Sequence, residues 1–479
     1  MFIKRFAVLS IVLAVMLAVL SACGGQPAAQ PAQEQKKEEA APAKEEKKEE
    51  AAAPAEEKKE EPAAAAAEGQ TIRLWIWSQW NGLTGVEPNG QPLDWWKDRV
   101  AKWEAQHPGV KVELEDLNGQ DVDINAKYDT AVAAGNIADI VWVDESYFTK
   151  YASQDVLEPI DAFMTDEDRK DFLPKDLELS RWDGKQFFWP YITQANHLAI
   201  NVSLFKEKGV ENLLPQAPDF AWTFEKFAEA AKAVTIDRDN DGKTDVYGVG
   251  FATDGAYTMA EAWGDHLYKQ GDESKVTINT QNTLDAFKAL KGLVEDGTAF
   301  PGSGTGAVDL QTNFLQQRIA MINTWGIVTD VETLPENEKF ELMLVPFPHG
   351  PNGKPTVWGG VHGLGVTKQK DPERLKLVMD LGRYLTSTDA LKDVRAWSKP
   401  ARLSLLQAQL ADQNFLYEKY IPQFEAYTGA LIPLMGQGPN AVPVLIKYEP
   451  LVEAIFTGDL TAEDALKQFE QEANVILSE

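Results

Sequence analysis

The sequence predicts an α/β protein of two lobes, each built from discontinuous segments and joined to the other through a hinge. Three observations carry this expectation. At 479 residues the chain exceeds the size at which a single hydrophobic core stops growing, so two lobes are the default. Between residues 70 and 145 short apolar runs and amphipathic runs take turns, which is the pattern of a doubly wound parallel sheet. Finally, Gly184 to Val202, GKQFFWPYITQANHLAINV, passes from an aromatic run into an alternating strand with no loop between them, so one strand serves two regions.

The N-terminus precedes any folded part. Met1 to Phe6 carries Lys4 and Arg5, an apolar run follows through Leu20, and Ser21-Ala22-Cys23-Gly24 closes it, the layout of a secretory signal. Leu20-Ser21-Ala22-Cys23 resembles a bacterial lipobox, in which Cys23 is acylated and becomes the mature N-terminus; the alternatives are a plain signal peptide or an uncleaved anchor helix. Cys23 is the sole cysteine, so no disulfide framework is possible. Residues 24–69 are Ala, Pro, Gln, Glu, Lys and Gly with no aromatic or branched aliphatic side chain. Such a composition buries too little apolar surface to offset its ordering entropy, and a disordered tether is expected. The net charge of −28 argues against a nucleic-acid partner, which needs clustered Lys and Arg.

Folded sequence begins with the strand Thr71 to Trp77, followed by Ser78-Gln79-Trp80-Asn81-Gly82. Asp94 to Gln106 reads as a helix with Trp96, Val100 and Trp103 on one face, and Val110, Val112 and Leu114 alternate as a second strand. A helix carrying Tyr128, Ala131 and Val132 leads to a third strand, Asp139 to Val143, which ends in Asp144-Glu145. Beyond the shared strand, Thr223 is placed to cap a helix with Phe224, Phe227 and Ala231 inward, and a second helix follows at Leu284 to Val294. Ile319 to Gly326 and Phe340 to Pro346 read as strands, Thr356 to Val366 as a return crossing, and Pro372 to Leu385 as the helix after it. Thr461 with Asp464 forms a capping box for a final helix.

This order, and above all the run GK-aromatics-PY leading through a strand to Asn201 and LFKEKGV, resembles bacterial extracellular solute-binding proteins of family 1, the maltose-binding-protein-like group. Ala134-Gly135-Asn136-Ile137-Ala138-Asp139 is similar to that family's approach to the third strand with Ala138 in place of proline, and Pro400-Ala401-Arg402 is similar to its late turn. The resemblance covers roughly residues 70–479 and implies a periplasmic-binding-protein-like type II fold. The boundaries expected are a signal peptide at 1–23, the tether at 24–69, first-lobe segments at 70–192 and 361–396, and second-lobe segments at 193–360 and 397–479. It further implies a carbohydrate ligand, an ABC importer as partner, a monomer, and attachment to the membrane through lipid alone.

All fourteen tryptophans lie beyond the tether. A flat ring with one N–H suits a sugar, whose C–H face is apolar and whose rim is hydroxyl. Trp96, Trp103, Trp142 and Trp222 fall within helix or strand periodicity and are assigned to packing. Trp77, Trp80, Trp263, Trp325 and Trp358 stand at element ends or beside turns and resemble stacking positions. Asp144 and Glu145 end a strand where a carboxylate could accept two sugar hydroxyls; a solvated acidic turn is the alternative. Tyr191 and Asn196 sit in the crossing strand and are expected to sense closure, and Arg402 is similar to the family's late arginine, a surface charge being equally compatible.

The sharpest local motif is Asp237-Arg238-Asp239-Asn240-Asp241-Gly242-Lys243-Thr244-Asp245. Carboxylates at positions 1, 3, 5 and 9, glycine at 6 and the Lys243 carbonyl at 7 match the start of a calcium loop. The match stops at position 12, where Gly248 replaces the bidentate glutamate, so the expected ion is structural Ca2+, with a metal-free Asp/Asn/Gly turn as the alternative. There is no G-x-S-x-G, H-E-x-x-H or Walker loop, and the five histidines are scattered. The expectation is a binding protein without catalysis. A lipid-anchored glycoside hydrolase or lyase is the rival, because paired catalytic carboxylates leave no local signature.

Overall fold

A computed structural model describes residues 70–77, 95–117, 124–145, 147–269, 272–392, 399–411, 420, 423, 431–432 and 438–478. Cys23, the expected tether and Trp80 lie outside the described residues, and all that follows concerns the compact unit of residues 65–479.

In the first lobe, β1 (Gln70–Ile76) runs parallel to both β2 (Val110–Asp116) and β3 (Ile140–Asp144), as the strand–helix alternation predicts. The helix Trp95–Glu104 covers this sheet with Trp95, Trp96, Val100 and Trp103. Every position of β3 is buried, the mark of a strand covered on both faces.

The shared strand, β4 (Phe188–Asn201), is buried at all of its 14 positions. In the second lobe it pairs antiparallel with β5 (Met321–Thr324) and β6 (Leu342–Val345). Its first half instead pairs with β7 (Val357–Val366), which in turn lies antiparallel to β3. One strand thus belongs to two sheets. Phe188 to Ala195 pack in the first lobe's core, whereas Leu198 and Ile200 pack in the second. Strand β7 touches both cores at the same level: Val357, Val361 and Leu364 belong to the first, Trp358 to the second, and Trp358 is the register partner of Asn196. The two crossings therefore lie side by side. Glycine permits this, because a Cβ at Gly359 would collide with the Gln194 carbonyl.

The third crossing differs from expectation. Lys399–Pro400 pairs with Thr193 and Ile192 of β4, and Ala401 and Leu405 pack in the first lobe's core. The first lobe therefore extends past the boundary placed at 396. The physical reason is Arg402, which is buried at 4% exposure and donates from Nη1 to Asp168 (3.1 Å) and Asp171 (3.3 Å) of that lobe. Helices Ala441–Thr457 and Ala462–Ser478 complete the second core through Val444, Tyr448, Leu466 and Phe469. Among the described residues no helix is long and apolar enough to cross a membrane.

Candidate ligand-binding cleft

A cavity of about 520 Å³ is lined by residues of both cores. The first lobe contributes the carboxyl ends of its parallel strands, where open α/β sheets bind ligands. Trp77 follows β1, and Asp144, Glu145 and Tyr147 end or follow β3. Trp77 lies 6.3 Å from Trp142 between ring centroids, and Trp142 lies 6.0 Å from Tyr147, so the rings form one aromatic wall. His362 of β7 stands edge-on to Trp142 at 5.2 Å. The Glu145 carboxyl fits because β7 carries Gly360 opposite it, where a Cβ would fall inside that carboxyl group.

The second lobe supplies the facing wall. Helix Thr253–Glu261 presents Asp254 and Tyr257 one turn apart, and helix Ala441–Thr457 presents Leu445 and Glu449 likewise. Trp325 follows β5 and packs 5.9 Å from Trp358, which in turn meets Tyr257 edge-on at 4.6 Å.

Asp254 organises this wall. Its Oδ2 accepts from Asn196 Nδ2 (2.6 Å) and from the Trp325 indole Nε1 (2.8 Å), while its Oδ1 accepts from Asn323 Nδ2 (2.9 Å) and the Gly255 amide (2.8 Å). Asn323 in turn accepts from the Ala252 amide at 2.8 Å, which ties the helix start to β5. Burial raises the Asp254 carboxyl above the ordinary carboxylate range, opposed by the bonds from Trp325, Gly255 and Asn323. Glu449 is raised too, by burial first and then by the charge of Asp254. Both effects follow from drawing negative charge partly away from water and, at Glu449, which remains exposed, from placing it near a second carboxylate.

Residues 98–405 match the family of bacterial extracellular solute-binding proteins. The chain belongs to that family. This solute-binding protein is 26% identical over 287 residues to a binding protein of Brucella abortus strain 2308, a match covering 58% of this chain and 65% of that one. It spans just under two thirds of that relative's length. To the maltotriose-binding protein of Pyrococcus abyssi it is 21% identical over 354 residues, covering 68% of this chain and 72% of that one. Its fold is that of the maltose-bound MalE3 of T. maritima, with a TM-score of 0.69 at 20% identity over 85% of this chain and 100% of the other. The match leaves the hydrolase or lyase alternative without support.

Of the residues that the sequence marks in this solute-binding protein, Trp77, Asp144, Glu145, Trp325 and Trp358 line the cavity. Asn196 stands one layer behind, holding Asp254. Tyr191 is 2% exposed and packs edge-on to Trp96 at 6.3 Å, so it belongs to the core rather than the wall. Trp263 is likewise a core residue: it packs 4.8 Å from Phe224, and Gly350, beside which a Cβ would strike the indole, makes room for its ring. The neighbouring glycine signals close packing there and not an open cleft. Arg402 is no ligand contact either, since its Nε also donates to the Thr386 carbonyl (2.9 Å) and its guanidinium lies 4.1 Å over Phe172.

Trp142, Tyr147, Asp254, Tyr257, His362 and Glu449 escaped the sequence reading of this solute-binding protein. Trp142 alternates within a strand, a pattern that points to packing, yet it packs and lines the cavity at once. Asp254 and Tyr257 carry a faint signal, an acid and an aromatic one turn apart at a helix start.

The acidic loop lies elsewhere on the solute-binding protein. Its ends are pinned by the Ile236–Val246 bridge, and Asn240 (φ 58°) and Gly242 (φ 86°) turn it. Carboxylate oxygens of Asp237, Asp239 and Asp245 converge within 4.8 Å of one another. Asp241 does not join them: its carboxylate accepts from the Lys243 amide (2.8 Å) and Nζ (3.0 Å).

Proposed function

We propose that this solute-binding protein captures a sugar or oligosaccharide in the cleft and, as a monomer, hands it to an ABC importer. The observation that carries this is the facing pair of aromatic walls, Trp77 with Trp142 and Trp325 with Trp358, interleaved with carboxylates in one cavity. Rings suit the apolar faces of a pyranose, and carboxylates accept its hydroxyls. The maltose on the T. maritima protein and the maltotriose named for the P. abyssi protein support the same ligand class. Because β4 passes from the first core to the second beside β7, the lobes can close about that level, and a ligand touching both walls stabilises the closed form. Titration calorimetry against neutral oligosaccharides, with reducing-end release assayed in parallel, tests this. Saturable binding without bond cleavage is expected; cleavage would overturn the binding-only reading.

We further infer that Cys23 carries the lipid that holds the protein outside the cell at its membrane. Metabolic fatty-acid labelling is expected to mark the wild type and not Cys23→Ser, and an unlabelled wild type would refute it. The acidic loop is proposed as a structural Ca2+ site held by Asp237, Asp239, Asp245 and the Lys243 carbonyl, with Asp241 free to join once Lys243 releases it.

A further inference from the structure

The charge of the cleft is one-sided. Asp144 and Glu145 line it from the first lobe and Asp254 and Glu449 from the second, while no lysine or arginine is among the described residues on its wall. Elsewhere in the chain, some buried and part-buried acids are met by cations. Asp168 is bridged by Arg383 (2.8 Å) and Arg402 (3.1 Å), and the part-buried Asp139 by Arg374 (2.8 Å). In the cleft, by contrast, Asp254 is held by amides and an indole, all neutral donors. Glu449 has no ion pair among the described residues, and Asp254 raises it further by repulsion. Among the described lining residues the group able to carry positive charge is the His362 imidazole, which stands against Trp142.

Asp144 and Glu145 are buried and Asp254 is half-buried, while Glu449 stays exposed; acids gathered among aromatic rings concentrate a negative potential that water screens less than at an open surface. We propose that the cleft selects its sugar by charge, accepting neutral and amine-bearing sugars, the amine-bearing form more tightly, and rejecting those that carry carboxylate, phosphate or sulfate. An ammonium group gains charge-assisted hydrogen bonds to Asp144 or Glu449 and a cation–π contact with the rings around them. An anionic substituent would lose its hydration and meet like charge, with no lysine or arginine among the described lining residues to receive it. Asp144 and Glu449, one on each wall, are the specificity-determining residues. The proposal rests on the carbohydrate reading of the cleft and deepens it.

The test uses matched triplets made from maltotriose, cellotriose, xylotriose and mannotriose: the alditol, the aldonic acid and the 1-amino-1-deoxyalditol. These share a chain and differ in charge at one end, so calorimetry on the intact protein reads charge alone. For a trisaccharide that binds, the amine is expected to bind about tenfold more tightly than the alditol and the acid about tenfold more weakly, with the spread contracting in 0.5 M salt. Glu449→Gln is expected to reduce the amine-to-acid ratio by about threefold or more, and Asp144→Asn gives a second reading if the first variant folds poorly. Equal affinity across a triplet, or preference for the acid, overturns charge selection and leaves the carbohydrate reading standing. Binding of no form of any of the four overturns both.

Discussion

Two acidic clusters in this chain share a chemistry and differ in setting. The loop Asp237 to Asp245 is largely exposed, and its carboxylates are already served by their own backbone: Asp237 accepts from the Gly242 amide at 2.9 Å and Asp245 from the Arg238 amide at 2.7 Å. The cleft acids come from distant parts of the sequence, and Asp254 is enclosed and held by side chains of the crossing strand and of β5. An exposed carboxylate keeps its water, so little depends on it until an ion arrives. A half-buried one such as Asp254 has given up much of its water, and the donors that replaced it become structure.

Exchanging the same atoms in the two settings gives the largest contrast. Asp254→Ala removes the carboxylate that accepts from the Trp325 indole, the Asn196 and Asn323 amides and the Gly255 backbone, which should cost on the order of 3–5 kcal/mol in urea unfolding and about a hundredfold in sugar affinity. Asp245→Ala, measured without calcium, should cost under about 1 kcal/mol and leave affinity alone. Similar losses at both sites would remove the distinction between enclosed and exposed acids.

A third carboxylate sharpens it. Glu261, on the same helix as Asp254, is buried at 8% exposure, and burial pushes its carboxyl up to about 8 against one bond from the Leu267 amide (3.1 Å). A carboxyl raised in the folded state binds more protons folded than unfolded, so its contribution to stability is lost as pH rises through the window from the ordinary glutamate range to about 8. About 3 kcal/mol should disappear between pH 5 and pH 8. Glu261→Gln keeps the acceptor and should flatten that slope in urea titrations. An unchanged slope would mean that another group controls the pH dependence.

The rings separate binding from stability in the same way. Trp77→Ala and Trp325→Ala should each weaken sugar binding roughly 5- to 100-fold, by analogy with other aromatic stacking and burial. Trp263→Ala should instead destabilise the second lobe by about 3–5 kcal/mol while the folded fraction binds normally. If Trp263→Ala weakens binding as strongly as Trp325→Ala in fully folded protein, its assignment to the core fails.

What the sequence revealed follows the same division. The shared strand was legible because fourteen consecutive residues carry it, and the acidic loop because its spacing is local. The helix Pro372–Leu385 was legible to the residue, since Asp371 caps it and proline starts it. The wall of the cleft was half legible: residues at strand ends, such as Trp77 and Asp144, announce themselves by position. Asp254, Tyr257 and Glu449 do not, because what makes them functional is the packing of two helices far apart in the chain. Arg402 and Trp263 misled for a related reason, as a charge or a ring beside a turn looks exposed until its partners, Asp168 or Phe224, are placed around it.

The smallest expected effect concerns the loop. Three carboxylates converging within 4.8 Å repel one another when no ion is present, and calcium binding to the folded state alone stabilises it by RT ln(1 + [L]/Kd). With no glutamate at Gly248 and Asp241 turned toward Lys243, affinity should fall in the extracellular range, Kd of about 0.1–1 mM. At 10 mM calcium the gain is then about 1.5–3 kcal/mol, or roughly 2–6 °C in Tm against excess chelator, and Asp239→Asn should shrink it. Sugar affinity at low temperature should not respond, because the loop contributes nothing to the wall of the cleft. Identical melting curves with calcium and with chelator would make the loop a metal-free turn, satisfied by its own amides. Loss of sugar binding on chelation, in protein that stays folded, would instead join the two acidic clusters into one system and undo the comparison between them.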